Sequence, residues 1–466
     1  MKGQKVFRFN KLFYTYIILS VIFIFACATF FVLTKDPARV LLMYSPAENG
    51  AVVLADGKAA EVTVPGKGIS KVIHNSDASA CAVLMSDGSS YSLYTVTKDS
   101  VQKTAGNGTS DFVFSFKGKK AVYITADRHL YSGKKLTAES VSSFAVSPDC
   151  SAVIFSKKED NSNKLYLSYK GKISFVSENY VPLAVSLDGK FLYVLSVDNS
   201  LCVLNPDGSM KSKLCSAVQT DSFCFSSDLK SIVFSDGEYT YISTEGKSRI
   251  RLVPGNAMPV TGSENNRYLL NSAGNSFICD SKEFSEIFYA ADDNGIVNLF
   301  YVNKDYGRTD VAQGVKKYVV TGKDSLTYLD SMGKIYEFNG TISELVVSGA
   351  SDFEATSNNR YIYYMTTAHE LYSVKRSNVQ LISNGAEKIY MNNSDKLFVV
   401  MTDKSLYSVS GAKKSDVISS DTVSCLCDGD ITYFLTTFRD DTGTFDLYSS
   451  DDGKKFTLSV SGVKKQ

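Results

Sequence analysis

The chain has 466 residues, 44% of them hydrophobic, and a formal net charge of +1. That supply of apolar side chains is enough for a sizeable core and excludes bulk disorder. The near-neutral balance, with no Lys/Arg stripe, excludes a nucleic-acid footprint.

Residues 1–11 carry Lys2, Lys5, Arg8 and Lys11 and no acid, and Leu12 to Leu33 is free of charge. As a helix that run would rise roughly 33 Å, enough to cross a hydrocarbon core. A transmembrane helix is predicted over 12–34, flanked by Phe13, Tyr14 and Tyr16 at one end and Phe30 and Phe31 at the other. The basic residues place 1–11 in the cytoplasm and 40–466 outside it. Ala26-Cys27-Ala28 offers a cleavage site, and Ile24 to Cys27 a weak lipobox. The apolar run continues past both to Leu33, which favours an uncleaved anchor.

Beyond residue 40, Ser, Thr, Val, Tyr and Phe dominate, punctuated by Gly, Asn and Asp, so strands are favoured over helices. An apolar–aromatic pair recurs with a period of roughly 36 residues. It stands at Leu93-Tyr94, Leu130-Tyr131, Leu165-Tyr166, Tyr241-Ile242, Leu299-Phe300, Ile335-Tyr336, Leu371-Tyr372, Leu406-Tyr407 and Leu447-Tyr448. Leu201-Cys202 and Phe277-Ile278 are expected to hold the same place, and Val53-Leu54 is a weaker first copy. Only the step from Phe277 to Leu299 is short.

Each repeat reads as four strands. Phe144 to Val146 is a first strand that turns at Ser147-Pro148-Asp149. Ala152 to Phe155 is a second, and a loop over Lys158 to Asn163 leads to Leu165 to Leu167 as a third. Ile173 to Val176 is a weaker fourth. Second strands such as Ile232-Val233-Phe234 and Leu397 to Val400 are continuously apolar and must be covered on both faces. Four-stranded units packed face to face around an axis meet that demand. A β-sandwich would show cleaner alternation, and a helical solenoid would show a 3.6 period.

The turns Ser147-Pro148-Asp149, Ser186-Leu187-Asp188-Gly189-Lys190 and Ser226-Ser227-Asp228, each followed by an apolar strand, resemble those of TolB-like and WD-repeat-like β-propellers. The chain also resembles the membrane-anchored propeller proteins of unknown function found in Gram-positive bacteria. The resemblance covers residues 40–466 at the level of repeat pattern and implies a fold, transferring no functional residue.

The fold class expected is all-β: propellers of four-stranded repeats behind one N-terminal helix. About twelve marks exceed the usual 4–8 blades. The expected division is therefore a first propeller over 40–255 and a second over 285–466, with the boundary within 253–285. A single large propeller is the alternative. The first repeat lacks an identifiable opening strand.

Catalytic signatures are sparse. There is no G-x-S-x-G elbow and no strand–helix alternation to carry one. His74, His129 and His369 are isolated and read as turn or strand-end residues. The acidic pairs Glu159-Asp160, Asp292-Asp293, Asp440-Asp441 and Asp451-Asp452 read as turn chemistry rather than calcium loops. Cys27 falls in the predicted membrane segment. Cys81, Cys202, Cys224, Cys279, Cys425 and Cys427 read as reduced core residues, with Cys425 and Cys427 on one side of a strand. No catalytic, cofactor-binding or metal residue is assigned. The expected function is a non-catalytic binding module tethered at the cell envelope, with an envelope protein or polysaccharide as partner. The alternative is a polysaccharide-acting hydrolase or lyase.

Overall fold

The structure, a computed structural model, describes residues 38–464 apart from 47, 107, 160–161, 221–222, 261–266, 280 and 294–295. The predicted cytoplasmic segment 1–11 and transmembrane helix 12–34 lie outside the described residues. No helix among the described residues is long and apolar enough to cross a membrane.

Arg39–Gln466 forms one compact all-β unit. Among the described residues the repeat is realised as antiparallel units spanning 68–105, 109–138, 141–178, 180–215, 350–384, 386–414 and 424–463, each a separate four-stranded sheet in chain order. Residues 223–254 form another such unit, extended by a hairpin described below. Two more share the long strand Arg308–Val320, whose first half pairs with Ile296–Val302 and whose second half pairs with Leu326–Asp330. The first unit, Val40–Ser45, Gly50–Ala55 and Lys58–Pro65, has three strands. Among the described residues it has no opening strand, which the sequence after Arg39 also fails to supply.

The continuously apolar second strands serve two neighbours at once. In Ala80–Ser86, Cys81, Val83 and Met85 turn toward the first unit and pack with Val40, Leu42 and Val53. Ala80, Ala82 and Leu84 turn the other way and pack with Phe112, Phe114 and Tyr123 of the third. In Leu397–Met401 the alternate residues split the same way, between Tyr363 and Leu371 on one side and Phe434 on the other. Period-2 alternation is therefore present, but both faces are core. Each Val, Leu, Met or Phe among them is worth roughly 1.5–3 kcal/mol relative to exposure. Ile431, Tyr433 and Leu435 of the last unit pack against Val52 and Leu54 of the first. Ser45 Oγ donates to Gly462 O at 3.1 Å, and Lys464 N donates to Tyr44 O at 3.0 Å.

The recurring aromatic residue has a physical role. Tyr131, Tyr166, Tyr241, Tyr336, Tyr372 and Tyr448 sit directly opposite Tyr123, Phe155, Phe234, Tyr328, Tyr364 and Phe434 in their ladders. All six pairs stack, with centroids 5.1–5.8 Å apart. Such a pair adds about 0.5–1.5 kcal/mol beyond its buried area. The turns repeat as well. Ser147, Ser186 and Ser226 donate to Asp149, Asp188 and Asp228 at 2.7–2.8 Å and accept the amides of Ala152, Phe191 and Ser231.

Two expectations need correction. Phe277-Ile278 does not occupy the repeat position: it lies in Ser276–Cys279, half of an inserted hairpin with Arg267–Leu269. That hairpin pairs in parallel with the opening strand Phe223–Phe225 and bridges through Asn271 to Ala145 of another opening strand. The short step in the sequence marks this insertion. The predicted loop Lys158 to Asn163 is also tighter, because pairing continues to Glu159 opposite Ser162. Lys158 and Asn163 alternate outward there, so polarity did not signal a strand end.

Candidate functional site

Opening strands from several units converge on one region. A cavity of about 560 Å³ is lined by Lys317 to Val320, Glu354, Tyr390, Met391, Leu426 and Cys427, which belong to four successive opening strands. A second, of about 520 Å³, lies on the other side of Leu426–Cys427 and is lined by Arg39, Lys71, His74, Asp428 and the hairpin residues Tyr268, Leu269 and Phe277. Leu426 is 51% exposed between the two cavities, while Cys425 and Cys427 point together into the core beside Phe434.

The charged side chains here clasp neighbouring units together. Lys71 Nζ donates to Asp111 Oδ1 at 2.7 Å, one repeat further along, and lies over the Phe112 ring. Lys317 Nζ repeats this with Asp352 at 2.8 Å and lies over Phe353. It also donates to Glu354 Oε1 at 2.8 Å. Burial works against the Lys317 charge, but Glu354 and Asp352 outweigh it and hold its pKa above the ordinary value. Burial also pushes Glu354 up, with Lys317 pulling it back. Arg39 pairs with Asp428 and joins the first unit to the last.

His74 is the one histidine in the region. Burial holds it below its ordinary value, against a hydrogen bond to the Val40 backbone, so it is neutral at pH 7. Its Nε2 and Arg39 Nε are buried without partners among the described residues. His129 and His369 lie apart, in tight turns before the third strand, where His369 Nδ1 contacts Ala386 O at 2.9 Å. The acidic pairs stay dispersed. Asp452 caps its turn by accepting the Lys454 and Lys455 amides, Glu159 pairs with Lys157 and Lys164, and Asp160 lies outside the described residues.

Cys224 and Cys279 form a disulfide that ties the hairpin to its sheet, which corrects the reading of both as reduced. Sequence alone hides this pair because an insertion brings them together. Cys81, Cys150, Cys202, Cys215, Cys425 and Cys427 are thiols outside any disulfide, and Cys425 is hydrogen-bonded with Cys427. Burial pushes the Cys81 thiol up to about 12.

Sequence reasoning missed Arg39, Lys71, Asp111, Lys317, Asp352, Glu354 and Asp428. A usable signal existed. Lys71 and Lys317 precede Asp111-Phe112 and Asp352-Phe353 by 40 and 35 residues, one repeat in each case.

No family model matches this chain, and no curated protein is similar to it. Solved structures with a related arrangement include the tricorn protease, at 10% identity and a TM-score of 0.32 over 91% of this chain. The chain spans 58% of that protein's length. TolB from Acinetobacter baumannii aligns at 15% identity and a TM-score of 0.30, covering 49% of this chain and 67% of TolB. An oligogalacturonate lyase in complex with manganese aligns at 9% identity and a TM-score of 0.30, covering 73% and 96% of the two chains. At such scores the likenesses carry no argument about activity, and the fold rests on the sheets described above.

Proposed function

We propose that this chain is a membrane-tethered, extracytoplasmic binding module whose units close into a single ring, with the convergent opening strands as its recognition face. The carrying observation is that the charges of this face are tied between neighbouring units, as Lys71–Asp111 and Lys317–Asp352–Glu354. Charges held this way build a rigid wall beside two cavities and an exposed Leu426. Rigid scaffolds that present shaped concave surfaces are suited to recognition. The partner is an envelope protein or polysaccharide. The single ring is supported by the packing of the last unit on the first. The location is supported by the basic, apolar N-terminal sequence and by the Cys224–Cys279 disulfide, a bond typical of oxidising compartments.

A polysaccharide-acting enzyme is the second reading. It is favoured by one observation, the convergence of Asp352 and Glu354 on Lys317.

Location is tested with Val197→Cys in the full chain, since Val197 is 77% exposed. A membrane-impermeant maleimide added to intact cells should label it. Labelling only after lysis would refute the extracytoplasmic placement. Activity is tested by incubating the full chain with wall polysaccharides. Cleavage that Glu354→Gln abolishes would replace the binding reading with the enzymatic one.

A further inference from the structure

A cavity of about 690 Å³ lies away from the recognition face, between the third and fourth strands of one unit and the next unit in sequence. Glu337 and Glu344 line one part of it, and Arg360, Lys375, Arg376 and Ser377 line another. Among the described residues none of these five charged groups forms an ion pair, with each other or with anything else. Opposite charges thus face one space without meeting.

Two features here cost stability, although Glu337 also accepts a hydrogen bond from Asn359. Glu337 and Glu344 are directly opposite each other in adjacent antiparallel strands. Like charges in that relation repel. The turn Arg376-Ser377 has φ of 48° and 66°, both left-handed. In the turns Asp56-Gly57, Lys170-Gly171 and Glu245-Gly246, which share this left-handed pair, the second residue is glycine. Ser377 therefore holds a conformation that disfavours any side chain, and its hydroxyl stands at the cavity. Arg360 and Lys375 both lie over the Tyr361 ring, at 5.9 and 5.1 Å, which fixes them on one platform.

A ligand that relieves both costs must place a cation between the two carboxylates and an anion among the guanidinium, ammonium and hydroxyl donors. We propose that this cavity binds a zwitterionic phosphate ester, with its primary ammonium at Glu337 and Glu344 and its phosphate at Arg360, Lys375, Arg376 and Ser377. Two guanidinium groups and a hydroxyl suit a multi-oxygen anion better than a single charge would.

The test is calorimetric titration of the full chain, in a maltoside detergent, with phosphoethanolamine, inorganic phosphate and ethanolamine. Phosphoethanolamine should saturate one site, with each fragment at least about tenfold weaker. Arg376→Gln should weaken binding severalfold. Glu344→Gln and Ser377→Gly should each raise the melting temperature, because each removes a cost, and should still weaken binding. In Glu344→Gln the preference for phosphoethanolamine over phosphate should disappear. A structural role alone would move stability and leave binding untouched. Equal affinity for phosphoethanolamine and phosphate, or wild-type affinity in Glu344→Gln, would overturn the assignment. Displacement of the ligand by vesicles containing phosphatidylethanolamine would name a lipid headgroup as the source. Retention in their presence would name a soluble or polymer-borne ester, and both results support the site.

Discussion

Replacing Lys317 with Met tests how the recognition face is held together. The substitution keeps the apolar stem and removes the charge from between Asp352 and Glu354. Breaking a buried pair by deleting one partner costs about 3–5 kcal/mol. The three side chains are 32%, 35% and 18% exposed, so solvent screens part of that cost. The expected loss is therefore ~2 kcal/mol at pH 7. The pH dependence follows from Glu354. Its pKa is raised in the folded state by burial, so its contribution is full below the ordinary 4.5 and is lost as pH rises through the raised value. Lys317 limits that rise, and without it burial acts unopposed. The Lys317→Met deficit should thus be largest at neutral pH and shrink as pH falls toward 4.5. Urea denaturation at both pH values, read as a shift in midpoint, measures it. Lys71→Met, which strands one carboxylate, should lose roughly half as much. Wild-type stability of Lys317→Met at pH 7, or a loss independent of pH, would show that Lys317 does not hold Asp352 and Glu354 in place.

Three further outcomes are expected. Ala78 holds a φ of 54°, so Ala78→Gly should raise stability by about 1 kcal/mol, checked by urea midpoint. Cys279→Ser opens a crosslink of sequence separation 55, which chain entropy values at about 4 kcal/mol, and should speed hydrogen exchange across 267–279 ahead of the rest. Burial raises the Cys81 and Cys150 thiols, and a hydrogen bond with Cys427 followed by burial raises Cys425, so iodoacetamide at pH 8 should spare all three and modify the half-buried Cys427 first, read by peptide mass spectrometry.

The fold was legible in the sequence where chemistry repeats. Leu130-Tyr131 and its copies marked third strands because a buried apolar residue recurs there beside an aromatic that stacks across the ladder in six of the units. The serine–aspartate turns marked the link between first and second strands because both side chains hold the backbone there. Phe277-Ile278 misled because a hairpin inserted between two opening strands meets the same apolar demand without belonging to the repeat. The candidate face was largely illegible. Its residues come from opening strands far apart in sequence, and Arg39 meets Asp428 only because the last unit packs on the first. Glu337 and Glu344 are harmless in sequence, since only the strand register sets them opposite each other.

A recognition face on the convergent opening strands must touch its partner at Leu426. A photoreactive amino acid placed at Leu426 in the full chain, irradiated in native membranes, addresses it most directly. One reproducible adduct is expected, lost when the same amino acid is moved to the exposed Val197. No adduct at Leu426, together with polysaccharide cleavage that depends on Glu354, would contradict it.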